Sequence, residues 1–127
     1  MNESPIDEIV ALYQAGVWWQ ESEHARAVLP KLILGRFFAW SRAADGKLVG
    51  MGRAISDGVS DACIQDVVVL AELRGRGIGH ELVARLTEYC LERHLEWIGL
   101  VAEPGTTPFY EKLGFGILEG SGALRHR

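Results

Sequence analysis

The sequence has few of the residues that mark several classes of protein. It has only two cysteines, Cys63 and Cys90, whose spacing suggests neither a disulfide framework nor a zinc site. Its four histidines are scattered without the spacing of metal ligands, so we expect no metal. No apolar run approaches the roughly 18 residues of a membrane span, and residues 1–5 lack the basic start of a secretory signal. We therefore expect a cytoplasmic protein without a membrane partner.

Basic residues are outnumbered by acidic ones. The 13 lysines and arginines against 17 aspartates and glutamates give a formal net charge of −4. This balance argues against a nucleic-acid binder, because such proteins carry a basic surplus. It is compatible with a cationic substrate but does not select one. With 127 residues, 48% of them hydrophobic, the chain suits one domain over 1–127.

Hydrophobic periodicity predicts an α/β chain with the order α-α-β-β-β-α-β-α-β-β. The first three strands are expected to form an antiparallel meander, with a hairpin turn at Asp45-Gly46. The predicted elements are helices at 5–15 and from Ser22, strands at 36–42, 48–56 and 62–70, a helix at 77–94, a strand at 97–101, a helix at 106–113, and strands at 115–118 and 123–127.

Glycines cluster where the third strand gives way to the long helix. Gly75, Gly77 and Gly79 would let backbone amides approach a ligand, and the first turn of a helix carries unpaired N–H groups. Arg74 and Arg76 add positive charge at a position where acidic residues are usual. The combination predicts a phosphate site, although a solvated glycine turn would have the same pattern. The Gly-Lys-Ser/Thr of a P-loop is missing, and the glycine spacing does not fit a dinucleotide fingerprint.

Two segments together resemble the GNAT acyltransferase superfamily. Residues 67–79 are similar to its central motif, a strand followed by Arg/Gln-x-x-Gly-x-Gly/Ala and a helix, and residues 108–115 resemble its later motif. The resemblance implies a GNAT-like fold, with a mixed, mostly antiparallel sheet flanked by helices. Members of the family usually begin with a strand, which residues 1–7 scarcely provide, so a short or missing first strand is expected.

The resemblance implies an acetyl-CoA-dependent N-acetyltransferase and suggests how the cofactor binds. The third strand would hold the pantetheine arm, amides of the glycine turn would bind the pyrophosphate, and a bulge would splay the third strand from the fourth to open a cleft. The residues expected to contact acetyl-CoA are Val67, Val68, Val69, Arg74, Gly75, Arg76, Gly77, Ile78, Gly79 and Phe109.

The resemblance also points to catalytic side chains. Tyr110 would stand near the thioester sulfur and protonate the departing thiolate, or its ring would simply pack. Where polyamine-acetylating relatives often carry a Glu-Asp pair, this chain has Gln65 and Asp66. Glutamine cannot accept a proton at neutral pH and could at most orient a water. Asp66 would either attract a cationic amine or pair within the scaffold, and Cys63 on the same strand is expected to be inert.

The general base and the acceptor are less defined. Glu21, Glu23 and Glu103 are unranked candidates for a remote base acting through water. Trp18 and Trp19 either fill the core or, as the resemblance implies, line the acceptor side together with Asp66.

The implied function is transfer of an acetyl group to a primary amine of a small molecule or a peptide. The alternatives are a CoA-binding regulatory module with little catalysis, which Gln65 in place of an acid favours, and an acyltransferase that uses a longer acyl chain or an alcohol. Because homodimers are common among relatives, a homodimer is an expectation of the resemblance, without an identifiable interface in the sequence.

Overall fold

The computed structural model describes residues 6–15, 22, 27, 37–43 and 45–126. Most of the segment predicted as a second helix lies outside these residues, as do Trp18 and Trp19. The elements whose bounds fall within the described residues are helix α1 (Ile6–Ala15), strands β1 (Phe37–Arg42), β2 (Leu48–Ser56) and β3 (Asp61–Val69), a 3-10 helix (Ala71–Leu73), helix α2 (Ile78–Glu92), strand β4 (Trp97–Leu100) and helix α3 (Thr107–Glu111).

The four strands form one mixed sheet in the order β1-β2-β3-β4. β1 and β3 both pair antiparallel with β2, as the predicted meander requires. β4 pairs parallel with β3, because the intervening α2 returns the chain to the same end of the sheet. The prediction of a mixed sheet flanked by helices is confirmed.

The two faces of the sheet have separate hydrophobic cores. α1 covers one face with a cluster built from Ile9, Val10, Leu12, Tyr13, Leu48, Met51 and Val68. α2 covers the other with a cluster built from Ala54, Ala62, Ile64, Val83, Leu86, Cys90 and Leu95. Gly50 of β2 brings α2 close to the sheet, since a Cβ there would lie 3.1 Å from the side chains of Ile78 and Leu82.

The predicted C-terminal hairpin is wrong. Residues 115–126 contain no strand, and their apolar side chains at Ile117, Leu118 and Leu124 are 64%, 61% and 98% exposed. A two-stranded hairpin has little stability unless an apolar face packs against the fold, and beyond Phe115 every described residue of this segment is exposed. The glycines in this stretch favour turns over strands, and Gly120 has a φ of 79°.

Across the described part of the chain, no helix combines the length and the apolar character that crossing a membrane requires.

Candidate active site

A β-bulge interrupts β3 close to its C-terminal end. Arg53 of β2 pairs with Gln65, and the next pair along the strands is Met51 with Val68. Gly52 therefore lies opposite both Asp66 and Val67. Asp66 adopts a φ of 58°, a region that aspartate tolerates better than most residues. A bulge of this kind bends the strand and increases its twist.

The bend separates β3 from β4. Their pairing runs from Asp61 opposite Trp97 to Ile64 opposite Leu100 and ends there. A cleft of about 370 Å³ opens where the strands part. Its lining residues are Cys63, Ile64, Gln65, Asp66, Val67, Val101, Glu103, Thr106 and Tyr110. The predicted bulge and splayed strand are confirmed.

The main chain of β3 beyond the bulge is paired along one edge only. Val68 and Val69 pair with Met51 and Gly50 of β2, while no described strand pairs with their other edge. Apart from the Val69 carbonyl oxygen, which accepts a hydrogen bond from Arg74, the peptide groups on that edge are available to an extended ligand that adds to the sheet like a strand. The predicted contact of this segment with a pantetheine arm stays a prediction.

The glycine turn presents unpaired amides at the start of α2. No described residue accepts a hydrogen bond from the backbone N–H groups of residues 75–79. Gly75 and Gly77 have φ values of 82° and 83°, which L side chains rarely adopt, and Gly77 caps α2. Successive free N–H groups at a helix N-terminus form an anion site.

Arg74 does not share this arrangement. Its own N–H donates to the carbonyl oxygen of Ala71 at 3.3 Å. Its guanidinium donates to the carbonyl oxygens of Val69 at 3.1 Å and Ala15 at 3.3 Å. Arg74 therefore ties the glycine turn to β3 and to the end of α1, and its predicted contact with the cofactor stays a prediction.

Tyr110 reaches the cleft from α3. Its ring contacts Phe109 and Phe115 edge-to-face, with centroid distances of 4.9 and 6.0 Å. Burial, and secondarily the charge of Glu103, raise the pKa of the Tyr110 phenol. The hydroxyl is therefore protonated at neutral pH and is able to donate a proton.

Phe109 packs away from the cleft, against the first turn of α2. A Cβ on Gly79 would lie 3.5 Å from its Cζ atom. The ring also belongs to the core on the α2 face of the sheet. Its predicted contact with the cofactor stays a prediction.

The comparisons with known proteins agree with this geometry. The sequence matches the family model of the Acetyltransferase (GNAT) family over residues 6–115. The chain belongs to the GNAT family. That match takes in the bulge and α3, which line the cleft, and also the glycine turn.

Two relatives match about half of this GNAT chain. The chain is 40% identical over 72 residues to the uncharacterized N-acetyltransferase ycf52 of Pyropia yezoensis, which is 57% of this chain and 41% of that protein. It is 44% identical over 69 residues to the chloroplastic GCN5-related N-acetyltransferase 2 of Arabidopsis thaliana, which is 54% of this chain and 27% of that protein. The chain thus spans less than half the length of these curated relatives.

A solved structure has the same fold. A Mycobacterium tuberculosis protein crystallised with CoA superposes with a TM-score of 0.74 at 22% sequence identity. The alignment covers 97% of this chain and 75% of that chain. The GNAT fold predicted from the sequence is confirmed.

The Asp66 carboxylate of this GNAT chain pairs within the scaffold, and its predicted contact with the acceptor stays a prediction. Its Oδ2 atom accepts hydrogen bonds from Arg53 Nε at 2.6 Å and from the Tyr13 hydroxyl at 2.9 Å. Burial, followed by the Asp66 charge, raises the pKa of Tyr13 far above its ordinary value. Arg53 also donates from Nη2 to Gln65 Oε1 at 3.4 Å.

Glu103 is a cleft residue that the sequence did not distinguish from Glu21 and Glu23, which lie outside the described residues. Its loop is held by Thr106, whose N–H and hydroxyl donate to the Glu103 carbonyl oxygen at 3.0 and 2.7 Å. No local pattern marks Glu103, because its position depends on where β3 and β4 part. Arg53 and Tyr13 were also missed, since they meet Asp66 across 13 and 53 residues of chain.

Within the described ranges, no three His, Cys, Asp or Glu side chains come together as metal ligands would.

Proposed function

We propose that this chain transfers the acetyl group of acetyl-CoA to a primary amine of a small molecule or a peptide. The observation that carries the proposal is the cleft at the β3 bulge, which Tyr110 lines next to the point where β3 and β4 part. Membership of the GNAT family supports acetyl-CoA as the donor.

The cofactor would bind along the bulged strand and the glycine turn. The unpaired amides of residues 75–79 suit the CoA pyrophosphate. The open edge of Val68 and Val69 suits the pantetheine arm, whose amide groups can pair with a strand. This placement would direct the thioester towards the bulge.

The reaction has three steps in which charge changes. The amine loses a proton and attacks the thioester carbonyl, the oxygen gains negative charge, and the C–S bond then breaks to release a thiolate. A backbone N–H at the bulge would stabilise the oxyanion, an interaction worth about 3 kcal/mol where it has been removed from other enzymes. The Tyr110 hydroxyl would protonate the thiolate, giving free CoA and the amide.

Glu103 is the cleft carboxylate best suited to the acceptor. Asp66 forms an ion pair with Arg53, whereas Glu103 lies at the cleft without an ion pair among the described residues. A negative charge there attracts an ammonium group, and it can take up the proton directly or through water. Gln65 cannot perform this step.

Replacement of Tyr110 by phenylalanine tests the proposed acid. Tyr110→Phe keeps the ring contacts and removes only the hydroxyl, so we expect kcat to fall by about 100-fold while acetyl-CoA binding persists. Turnover is measured by thiol release with tyramine, spermidine and a lysine-containing peptide as probe acceptors. Binding is measured as the rise in unfolding temperature with acetyl-CoA, which at about 100 times Kd contributes about 2.7 kcal/mol.

Tyr89→Phe is the matched control, because Tyr89 lies on α2 with 38% of its surface exposed. It should leave kcat and the acetyl-CoA effect unchanged. Equal losses of rate and binding in Tyr110→Phe would instead make the ring a packing residue. A rise in unfolding temperature with NAD or ATP but none with acetyl-CoA would contradict the proposed function itself.

A second function, a CoA-binding module with little catalysis, is favoured by one observation. The strand position that carries an acid in polyamine-acetylating relatives is Gln65, and the neighbouring Asp66 carboxylate is engaged by Arg53 and Tyr13.

Gln65→Glu separates the two functions. A gain in turnover of about tenfold or more would mean that the native cleft lacks a competent base, since general-base catalysis contributes at least that much. Under the acetyltransferase proposal, with Glu103 serving the acceptor, we expect little gain. Gln65→Asn, which stays neutral, controls for the change in shape.

A further inference from the structure

A hydrogen-bonded cluster joins three elements at the bulge. One carboxylate oxygen of Asp66 on β3 accepts from Arg53 on β2 and from Tyr13 on α1. These three residues form the bulge cluster. The side chains of Arg53 and Asp66 are only 21% and 22% exposed, so water competes weakly for the ion pair.

The bulge cluster includes a cleft residue with a positive φ, Asp66. Asp66 and His94 are the non-glycine residues with positive φ in the described chain, and Asp66 is the one at the cleft. Such a backbone conformation is disfavoured for an L residue and persists where the surroundings hold it. In Asp66 the side chain itself is held, because it accepts hydrogen bonds from donors on two different elements, α1 and β2.

We propose that Tyr13 and Arg53 are positioning residues for acetyl transfer, because through the Asp66 carboxylate they keep the bulge in the conformation that opens the cleft. Neither residue lines the cleft itself. Arg53 additionally holds Gln65, so the side chains of two consecutive cleft residues depend on one guanidinium. The effect on turnover rests on the proposed function, whereas the effect on the bulge does not.

The attachment of α1 to the sheet does not depend on the Tyr13 hydroxyl. Ile9 and Leu12 of α1 are fully buried, and Glu8 Oε2 accepts the N–H of Leu48 at 2.6 Å. Removing the hydroxyl should therefore leave α1 in place and act on the bulge. Glu8 supplies a matched control, since it links α1 to β2 without touching the bulge cluster.

The test combines hydrogen exchange with steady-state kinetics. In Tyr13→Phe we expect amides of residues 66–68 to exchange about tenfold faster and kcat to fall about tenfold, which corresponds to losing one hydrogen bond to a charged group. The KM for acetyl-CoA should stay within about twofold, because the glycine turn is unaffected. Kinetics use acetyl-CoA with the same three probe acceptors.

Arg53 provides a rescue series. Arg53→Met should raise exchange at the bulge and lower kcat at least as much as Tyr13→Phe does, because it removes the ion pair. Arg53→Lys keeps the charge and should restore part of both losses. If Arg53 contributed only to stability, Arg53→Met and Arg53→Lys would have similar kcat values when compared at equal free energies of unfolding.

Glu8→Gln should lower the unfolding temperature while leaving both bulge exchange and kcat close to wild type. The proposal is overturned if bulge exchange is unchanged in Tyr13→Phe, or if Glu8→Gln lowers kcat as much as Tyr13→Phe does. If the wild-type chain transfers no acetyl group, the proposed function fails, and the exchange comparison alone decides whether the cluster holds the bulge.

Discussion

The two cysteines have different surroundings. Cys90 on α2 is fully buried within the core of that face, and this burial raises the pKa of its thiol. Cys63 is partly exposed at the cleft, with Gln65 Nε2 3.9 Å from its Sγ atom. No disulfide joins them.

This contrast predicts selective alkylation. Iodoacetamide should modify Cys63 in the native protein and spare Cys90, because a buried thiol is both inaccessible and less ionised. Mass spectrometry of peptides before and after denaturation measures the two sites. Cys63→Ser should remain unmodified until it is unfolded. Rapid native modification of Cys90 would mean that α2 opens far more readily than its burial indicates.

At the scale of elements, α2 depends on the conformation of the residue before it. Gly77 has a φ of 83°, and nothing lies within 4 Å of where its Cβ would be. Gly116 also has open space around it, but its φ is outside the left-handed range. The two glycines therefore differ in backbone conformation and not in crowding.

Alanine at these two positions should have unequal effects. Gly77→Ala should lower the free energy of unfolding by about 1–2 kcal/mol, the cost of a left-handed conformation for an L residue. Gly116→Ala should change it by less than about 0.5 kcal/mol. Urea denaturation followed by far-ultraviolet circular dichroism measures both. Similar stabilities for the two variants would show that the turn before α2 adjusts without strain.

At the scale of the whole molecule, the elements that strong local sequence patterns indicate were predicted well. β2 has the bounds 48–56 that were predicted for the strand after the Asp45-Gly46 turn. The predicted strands at 115–118 and 123–127 rested on similar local patterns and are absent, because a strand also needs a partner and an apolar surface. The cytoplasmic location and the homodimer stay predictions.

The site was predictable only in part, for a related reason. The glycine turn is contiguous in sequence, and its unpaired amides follow from the start of a helix. Arg53 and Tyr13 reach Asp66 only because the bulge alters the register of β3, and register is a property of paired strands. Single-sequence patterns do not contain that information. The presence of a cleft between β3 and β4 was predicted from the family resemblance and not from these patterns.

The bulge also means that the cleft depends on a count of residues. Gly52 faces two residues of β3, so losing one of them would give an uninterrupted ladder with the pairs on either side unchanged. If Asp66 is the residue lost, Val67 keeps its place against the core on the α2 face, and the strand would run straight beside β4 and close the cleft. An in-frame deletion of a single codon at this point could therefore yield a folded protein without activity. During evolution, β3 is freer to change its side chains than its length.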